Sequence, residues 1–509
     1  MKGKIALIPM DARPVTRDLA VDLARIAGWE VITPEKSLLG FLKQPAKLND
    51  LYQWLWDIVH QVDGMVLSID MLLYGGLVPS RIYTDSDQKL RERLNILKKI
   101  KKTHPKIQIM AFSSTMRISN NTVNEEEKDY WKDYGKYLWS LSYHSHKYEK
   151  LKDESIAKII KNLYKKIPAA IVRDYQQTRK RHFRMNLKLI DLVEIGVIDH
   201  LVFPQDDTSE YGWNIKEQEI LQQKVIDTSL FQRIAIYPGA DEVANTLVTK
   251  LIFLMEQIPL PRYYPIYSGG KGKLSISLYE DRPLVESVKG QIAAIGSHTV
   301  EAIEEADILL GVNVPGIHQG DLALQTNLNS VDTPDRNIQE WLRKLQYYMS
   351  KNKRVAIADI AYANGADPIM VKQMLEWIHW QDLFGYAGWN TSGNTLGTVI
   401  SHSALTFLAE KKKIDFYDEH AYQLVLRLLD DYLYQSVVRA QVRKEIEEDE
   451  VSATELLAYI AKVYRQAALA FLHKYRIPFS VSHIYLPWNR TFEIGLQLTK
   501  LAKKNRGGD

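Results

Sequence analysis

The chain has 509 residues, with 66 Lys+Arg against 62 Asp+Glu, for a formal net charge of +4. That near-balance excludes a strongly basic nucleic-acid binder, and 46% apolar with 25% charged residues excludes a disordered chain. No cysteine is present, which removes disulfides, thiolate nucleophiles and Cys-ligated zinc.

Short apolar runs recur along the chain: Lys4–Ile8, Glu30–Ile32, Met65–Ile69, Ile107–Phe112, His200–Phe203, Arg233–Tyr237, Ile308–Val314, Val355–Ala358 and Phe384–Ala387. Most are rich in Val, Ile and Leu without alternation, as expected of strands buried on both faces. Helix-period segments separate them, among them Asp50–Val62, Asp87–Lys101, Arg184–Gly196 and Pro368–Ile378. The pattern predicts an α/β fold of mostly parallel strands alternating with helices, barrel-like or doubly wound. Polar residues follow so many strands that a barrel is the favoured form. Residues 120–170, with Glu125-Glu126-Glu127-Lys128 and Tyr164-Lys165-Lys166, read as a charged helical insertion. The expected division is an α/β catalytic-type domain over 1–400. A mainly helical region over 401–509 is expected to pack back on it through 480–493. Its Glu445–Glu450 run reads as a solvated helix face, and the tail 503–509 as frayed. No stretch reaches the ~18 apolar residues of a membrane span, and the N-terminal apolar run is too short for a secretory signal. The reading is therefore a cytoplasmic protein with no membrane partner.

In parallel α/β folds ligands bind beyond the C-terminal ends of the strands. Polar clusters stand at seven such places here. They are Asp11 to Pro14, Asp70 with Tyr74 to Arg81, Ser113 to Arg117, Gln205 to Thr208, Pro238 to Glu242, Asp359 with Asn364 to Asp367, and Gly388 to Asn394. Asp206-Asp207 is the sharpest of them. Adjacent carboxylates repel, so a site can raise one pKa to make a general acid while its neighbour stays ionised. The competing reading is one helix-capping Asp and one solvent-facing Asp. Asp241-Glu242 carries the same ambiguity, with Glu242 suited to complement a helix dipole. Arg13, Arg81 and Arg117 follow early strands and suit an anionic substituent or Arg–Asp pairs that hold loops. Trp389-Asn390 and Trp488-Asn489-Arg490 set an indole beside an amide, a pairing suited to a sugar ring and its hydroxyls. No phosphate loop, GxGxxG turn, HExxH or GxSxG elbow occurs.

At these same motifs the chain resembles a bacterial family, the domain-of-unknown-function family 4127. The matching stretches are Asp11-Ala12-Arg13-Pro14, Tyr74-Gly75-Gly76-Leu77, Gln205-Asp206-Asp207 with Tyr211-Gly212, and Tyr237-Pro238-Gly239-Ala240-Asp241-Glu242. Further along they are Asn364-Gly365-Ala366-Asp367, Tyr386-Ala387-Gly388-Trp389-Asn390-Thr391 and Leu486-Pro487-Trp488-Asn489-Arg490. This resemblance brings no activity with it. A second, local resemblance is to barrel glycosidases that cleave N-acetylhexosamines with help from the substrate's acetamido group. It implies that Asp206 orients that group and Asp207 protonates the leaving oxygen.

The expected function is a carbohydrate-active, glycosidase-like hydrolase acting on a small glycan or amino sugar. Asp206 and Asp207 are the expected catalytic pair. Arg13, Asp70, Asp241, Glu242, Asp359, Trp389, Asn390, Asn394, Asn489 and Arg490 are the expected substrate-binding residues. No cofactor is expected. One alternative is a metal-dependent hydrolase of a phosphate or amide, with a divalent cation on Asp11, Asp70, Asp206 and Asp359. Another is a non-catalytic sugar or sugar-phosphate binding protein.

Overall fold

A computed structural model describes residues 3–449 and 453–501, so the tail 503–509 and the end of the acidic run lie outside the described residues. The chain divides into two compact units. The first holds the residues up to Val21, Trp29–Ile252 and Tyr279–Asp281; the second holds Asp22–Gly28, Phe253–Leu278 and the residues from Arg282 on. The boundary expected at 400 falls inside the second unit.

The first unit is built on six parallel strands: β1 (Lys4–Ile8), β2 (Glu30–Ile32), β3 (Gly64–Ser68), β4 (Gln108–Phe112), β5 (His200–Gln205) and β6 (Ile234–Pro238). Their order is β2-β1-β3-β4-β5-β6. The edge strands β2 and β6 do not pair, so the sheet stays open and the doubly wound alternative is the observed one rather than the barrel. Strand order reverses between β1 and β3, where such folds open a crevice at their C-terminal edge. One face, carrying Ala6, Ile8, Met65, Leu67, Ile109, Ala111, Leu201 and Phe203, shares a core with Leu51, Leu55, Leu90, Leu94, Leu97 and Leu189. Those leucines recur at helical spacing on Leu48–Ile58, Asp87–Thr103 and Ala169–Glu194. On the opposite face a Cβ at Gly64 would stand 2.9 Å from Leu251, on the helix Val243–Glu256. Helices therefore cover both faces, which is why the strands read as unbroken apolar runs.

Burial on the first sheet has a titratable cost. His200, at the start of β5, is pushed down to about 3 by burial, with the Lys250 and Arg233 charges adding to the effect. The unfolded chain binds a proton there near pH 6.5 and the folded chain does not, so stability is lost as pH falls below 6.5. His200→Leu is expected to remove about 2 kcal/mol of the stability difference between pH 7 and pH 5. Urea unfolding midpoints at the two pH values check this.

The second unit carries four parallel strands: β7 (Tyr263–Tyr267), β8 (Ile308–Asn313), β10 (Arg354–Asp359) and β12 (Tyr386–Ala387), in the order β12-β10-β8-β7. A short parallel pair, β9 (Gly320–Asp321) and β11 (Tyr362–Ala363), flanks the strand ends, and β13 (Phe479–Tyr485) pairs antiparallel with β14 (Gly495–Lys500). The C-terminal helices share one core with this sheet. Leu309, Val355 and Ile357 meet Leu424, Leu428, Tyr464 and Leu472, together with Ile484, Leu496 and Leu498 from the hairpin. The helix Ser392–Lys412 is buried on every side from Ser392 to Ala409. An eleven-residue π-helix, Leu428–Val438, interrupts the C-terminal helices. Among the described residues no helix is long and apolar enough to cross a membrane.

Candidate active site

Strands β1 and β6 are separated by three others, which at about 4.8 Å per strand puts them roughly 19 Å apart. The loops beyond them nevertheless meet. Arg13 donates from Nη2 to Asp11 Oδ2 at 2.8 Å and to Asp241 Oδ1 at 2.7 Å, and from Nη1 to Asp241 Oδ2 at 3.2 Å. Thr16 adds a hydroxyl donor to Asp11 Oδ1 at 2.7 Å. The guanidinium fork thus ties the loop after β1 to the loop after β6 across the C-terminal edge of the sheet. Burial pushes Asp241 up to about 6; the Arg13 charge opposes the rise, and the Asp11 and Asp206 charges add to it.

Asp70 sits in the first turn of the helix Ile69–Tyr74, directly beyond β3, and is fully buried. Its Oδ2 accepts from the Ser114 backbone N–H at 2.8 Å and the Ser114 hydroxyl at 3.0 Å, while Oδ1 faces His182 Nε2 at 3.1 Å. It braces the ends of β3 and β4 against the helix Ala169–Glu194. The following Gly75-Gly76 pair turns the chain. Gly75 has φ +86° and Gly76 has φ +136°, and a Cβ on Gly75 would stand 2.7 Å from the Ala46 backbone nitrogen. That nitrogen already donates to the Gly75 carbonyl at 3.0 Å. Gly75→Ala is expected to cost about 1–3 kcal/mol, since backbone strain and a backbone clash add, and urea unfolding measures it.

The turn starts the short helix Leu77–Ile82 and delivers Arg81 inward. Arg81 donates to Asp206 Oδ2 at 2.7 Å and to Glu126 Oε2 at 3.1 Å. Glu126 in turn faces Arg117 Nη2 at 3.2 Å, and Arg117 Nη1 lies 3.3 Å from Asp207 Oδ2. Arg117 Nε also donates to Glu127 at 2.9 Å. Asp206, Arg81, Glu126, Arg117 and Asp207 therefore alternate in sign along a closed arc beyond β4 and β5. Glu127 brings a further carboxyl to the same two guanidiniums, and crowded carboxyls favour keeping a proton. Asp207 shows it: burial pushes this carboxyl up to about 6, Asp206 adds to the rise, and Arg117, Arg81 and the Ser119 hydroxyl pull back. Asp207 has φ +45°, and its side chain keeps 23% of its surface accessible. A proton held there is within reach of a ligand.

Glu126, Glu127, Arg117 and Ser119 take larger parts than sequence reasoning assigned. Glu127 is 1% exposed although it belongs to the charged run Glu125-Glu126-Glu127-Lys128. Glu242, expected to bind substrate or complement a helix dipole, is buried at the head of Val243–Glu256. Gly239, with φ +121°, leaves room for its carboxylate, which would lie 2.2 Å from a Cβ there.

The other expected site residues belong to the second unit. Asp359, ending β10, accepts from Asn313 Nδ2 at 2.8 Å and from the Asp367 backbone N–H at 2.7 Å. Burial and the Asp367 charge push it up to about 8, against those two hydrogen bonds and Arg336. Asp367 caps the helix Pro368–Trp377 and pairs with Arg336 at 2.7 Å. Trp389 and Trp488 are buried rather than presented to solvent; the Trp389 ring lies 5.9 Å from Phe492, and Arg490 stacks 4.8 Å over Trp488. Asn390, at φ +69°, turns its carbonyl to accept from the Asn364 backbone N–H at 2.9 Å. Asn394 stands in the first turn of Ser392–Lys412, its N–H on the Thr391 hydroxyl. Asn489 is exposed, and Arg490 pairs with Glu493 at 2.6 Å. The π-helix anchors these loops. Asp431 accepts from the Gly388 backbone N–H at 2.8 Å, and Arg427 donates to Asp431 at 2.8 Å.

The expected residues thus fall into two groups, one per unit. Arg13, Asp70, Asp206, Asp207, Asp241 and Glu242 stand on the first; Asp359, Trp389, Asn390, Asn394, Asn489 and Arg490 stand on the second. Among the described residues no three His, Asp or Glu side chains are gathered to hold a metal ion. Asp11, Asp70 and Asp206 instead face hydrogen-bond donors or guanidiniums. No curated protein matches the chain. The model of the family described as a protein of unknown function (DUF4127) matches residues 5–497, nearly the whole length, and the chain belongs to that family.

Proposed function

We propose that the C-terminal edge of the first sheet is the active centre of a hydrolase acting on a small glycan or amino sugar. The observation that supports this reading is Asp207, a partly accessible carboxyl pushed up to about 6 beside a second carboxyl that pairs with Arg81. A general acid works best when its pKa lies near the working pH. In its protonated form Asp207 gives its proton to the glycosidic oxygen as the carbon–oxygen bond breaks. Water then adds hydroxide to the anomeric carbon and releases its other proton to a carboxylate. Asp206 either takes that proton or orients an acetamido group on the sugar. Asp241, buried and tied to Arg13, stands ready to bind a hydroxyl.

The test is product release. The purified protein is incubated with nitrophenyl glycosides, N-acetylhexosaminides among them, and with small oligosaccharides. Turnover that Asp207→Asn abolishes supports the reading. Stabilisation by a sugar with no product from any of them overturns it and makes the protein a binding module.

A further inference from the structure

We propose that a cavity in the second unit binds an uncharged nucleobase or nucleoside through the side-chain amide of Gln423. The cavity has a volume of about 350 Å³, and Tyr422, Gln423, Phe479, Arg25, Lys500 and Asp418 line it. Its size is that of a small-molecule site. It uses none of the residues assigned to the hydrolase centre, so the two proposals stand or fall separately.

Gln423 supplies the polar group of the cavity wall. It belongs to the helix Tyr417–Arg427, whose neighbouring positions Ala421, Leu424 and Val425 pack into the apolar core. Gln423 is itself 1% exposed, yet neither Oε1 nor Nε2 has a hydrogen-bond partner among the described residues. A buried amide with both ends unanswered is costly, and an apolar side chain at that place would avoid the cost. What satisfies it must offer an acceptor and a donor side by side. The edge of a nucleobase does this, and a planar amide reads such an edge with two hydrogen bonds at once.

The walls fit the same ligand. Tyr422 and Phe479 stand 6.5 Å apart at 68°, giving aromatic surface for a flat ring. The rim is charge-matched. Lys500 pairs with Asp418, and Arg25 pairs with Asp22 at 3.0 Å. Glu419 adds a third rim carboxylate. With its cations already paired and acid in excess, the rim opposes a phosphate and suits ribose hydroxyls, which donate to carboxylates. The expected ligand is therefore a base or nucleoside rather than a nucleotide.

Titration calorimetry of the full-length protein with adenosine, cytidine, inosine and uridine tests this, with the matching 5′-monophosphates as controls. Saturable binding of at least one nucleoside is expected, tighter than that of its monophosphate. Gln423→Leu is expected to weaken it roughly tenfold or more while leaving the ligand-free melting temperature unchanged or raised. Gln423→Glu, which keeps the shape and removes the donor, is expected to weaken it similarly. No binding of any nucleoside overturns the proposal. So does binding that survives both substitutions, or a Gln423→Leu protein that melts far lower, since the amide would then be satisfied within the fold.

Discussion

Asp207→Asn is expected to lower kcat by about 10²- to 10⁴-fold on any substrate the protein turns over, the range supplied by one positioned general acid. The substitution isolates proton transfer because the fold should tolerate it. Position 207 has φ +45°, and Asn adopts that left-handed conformation about as readily as Asp. An amide also keeps a group able to meet the Ser119 hydroxyl, and it removes a carboxyl whose charged form burial disfavours. The melting temperature should therefore move by only a few degrees. The wild-type pH profile supplies the second readout. An acid that must be protonated makes kcat/KM fall as pH rises through its pKa, so the alkaline limb should lie near pH 6 and vanish in the variant. An unchanged rate in Asp207→Asn, on a substrate the wild type cleaves, would remove Asp207 from the chemistry.

The second large effect is expected at Arg81. This side chain is 2% exposed and stands between Asp206 and Glu126, whose side chains each keep 17% of their surface. Arg81→Met keeps most of the volume and strips the largely buried Asp206 carboxyl of its ion pair, while Glu126 keeps Arg117 at 3.2 Å. Breaking such a pair from one side costs about 3–5 kcal/mol, most of it the desolvation of charges left alone. Chemical denaturation measures the loss. Arg81→Lys is expected to recover only part of it, because an ammonium cannot span both carboxylates as the fork does. Arg81 also holds the Asp207 pKa down. The alkaline limb of activity should therefore move above pH 6 in Arg81→Met, a shift that a purely structural role would not produce.

Much of the architecture was legible because parallel strands covered by helices leave plain apolar runs. β3, with Met65 to Leu67, and β8, with Leu309 and Leu310, are read directly from such runs. β7 is not, because Tyr-Tyr-Pro-Ile-Tyr carries a proline. It is tolerated there because β7 is an edge strand, where an N–H can be spared. The strand-end acids Asp206, Asp207 and Asp241 were visible as residues, but their partners were not. Arg13 finds Asp241 at a separation of 228 residues, and Arg81 finds Asp206 at 125. Nothing local in a sequence announces such a meeting. The Glu125–Glu127 run shows the same gap from the other side. Its charges read as part of a helical insertion, and the arrival of Arg81 and Arg117 makes Glu127 affordable inside. The Trp-Asn pairs mislead for a related reason. An indole beside an amide suits a sugar platform, yet packing against Phe492 and under Arg490 turns both rings inward.

The salt link from the loop after β1 to the loop after β6 has a bearing on synthesis. Asp11 and Arg13 leave the ribosome more than two hundred residues ahead of Asp241. Ties of such high contact order form late and slowly. A nascent chain halted before β6 has no means of assembling this edge of the sheet. Translation must deliver Asp241 before the Arg13 fork can clasp the two loops.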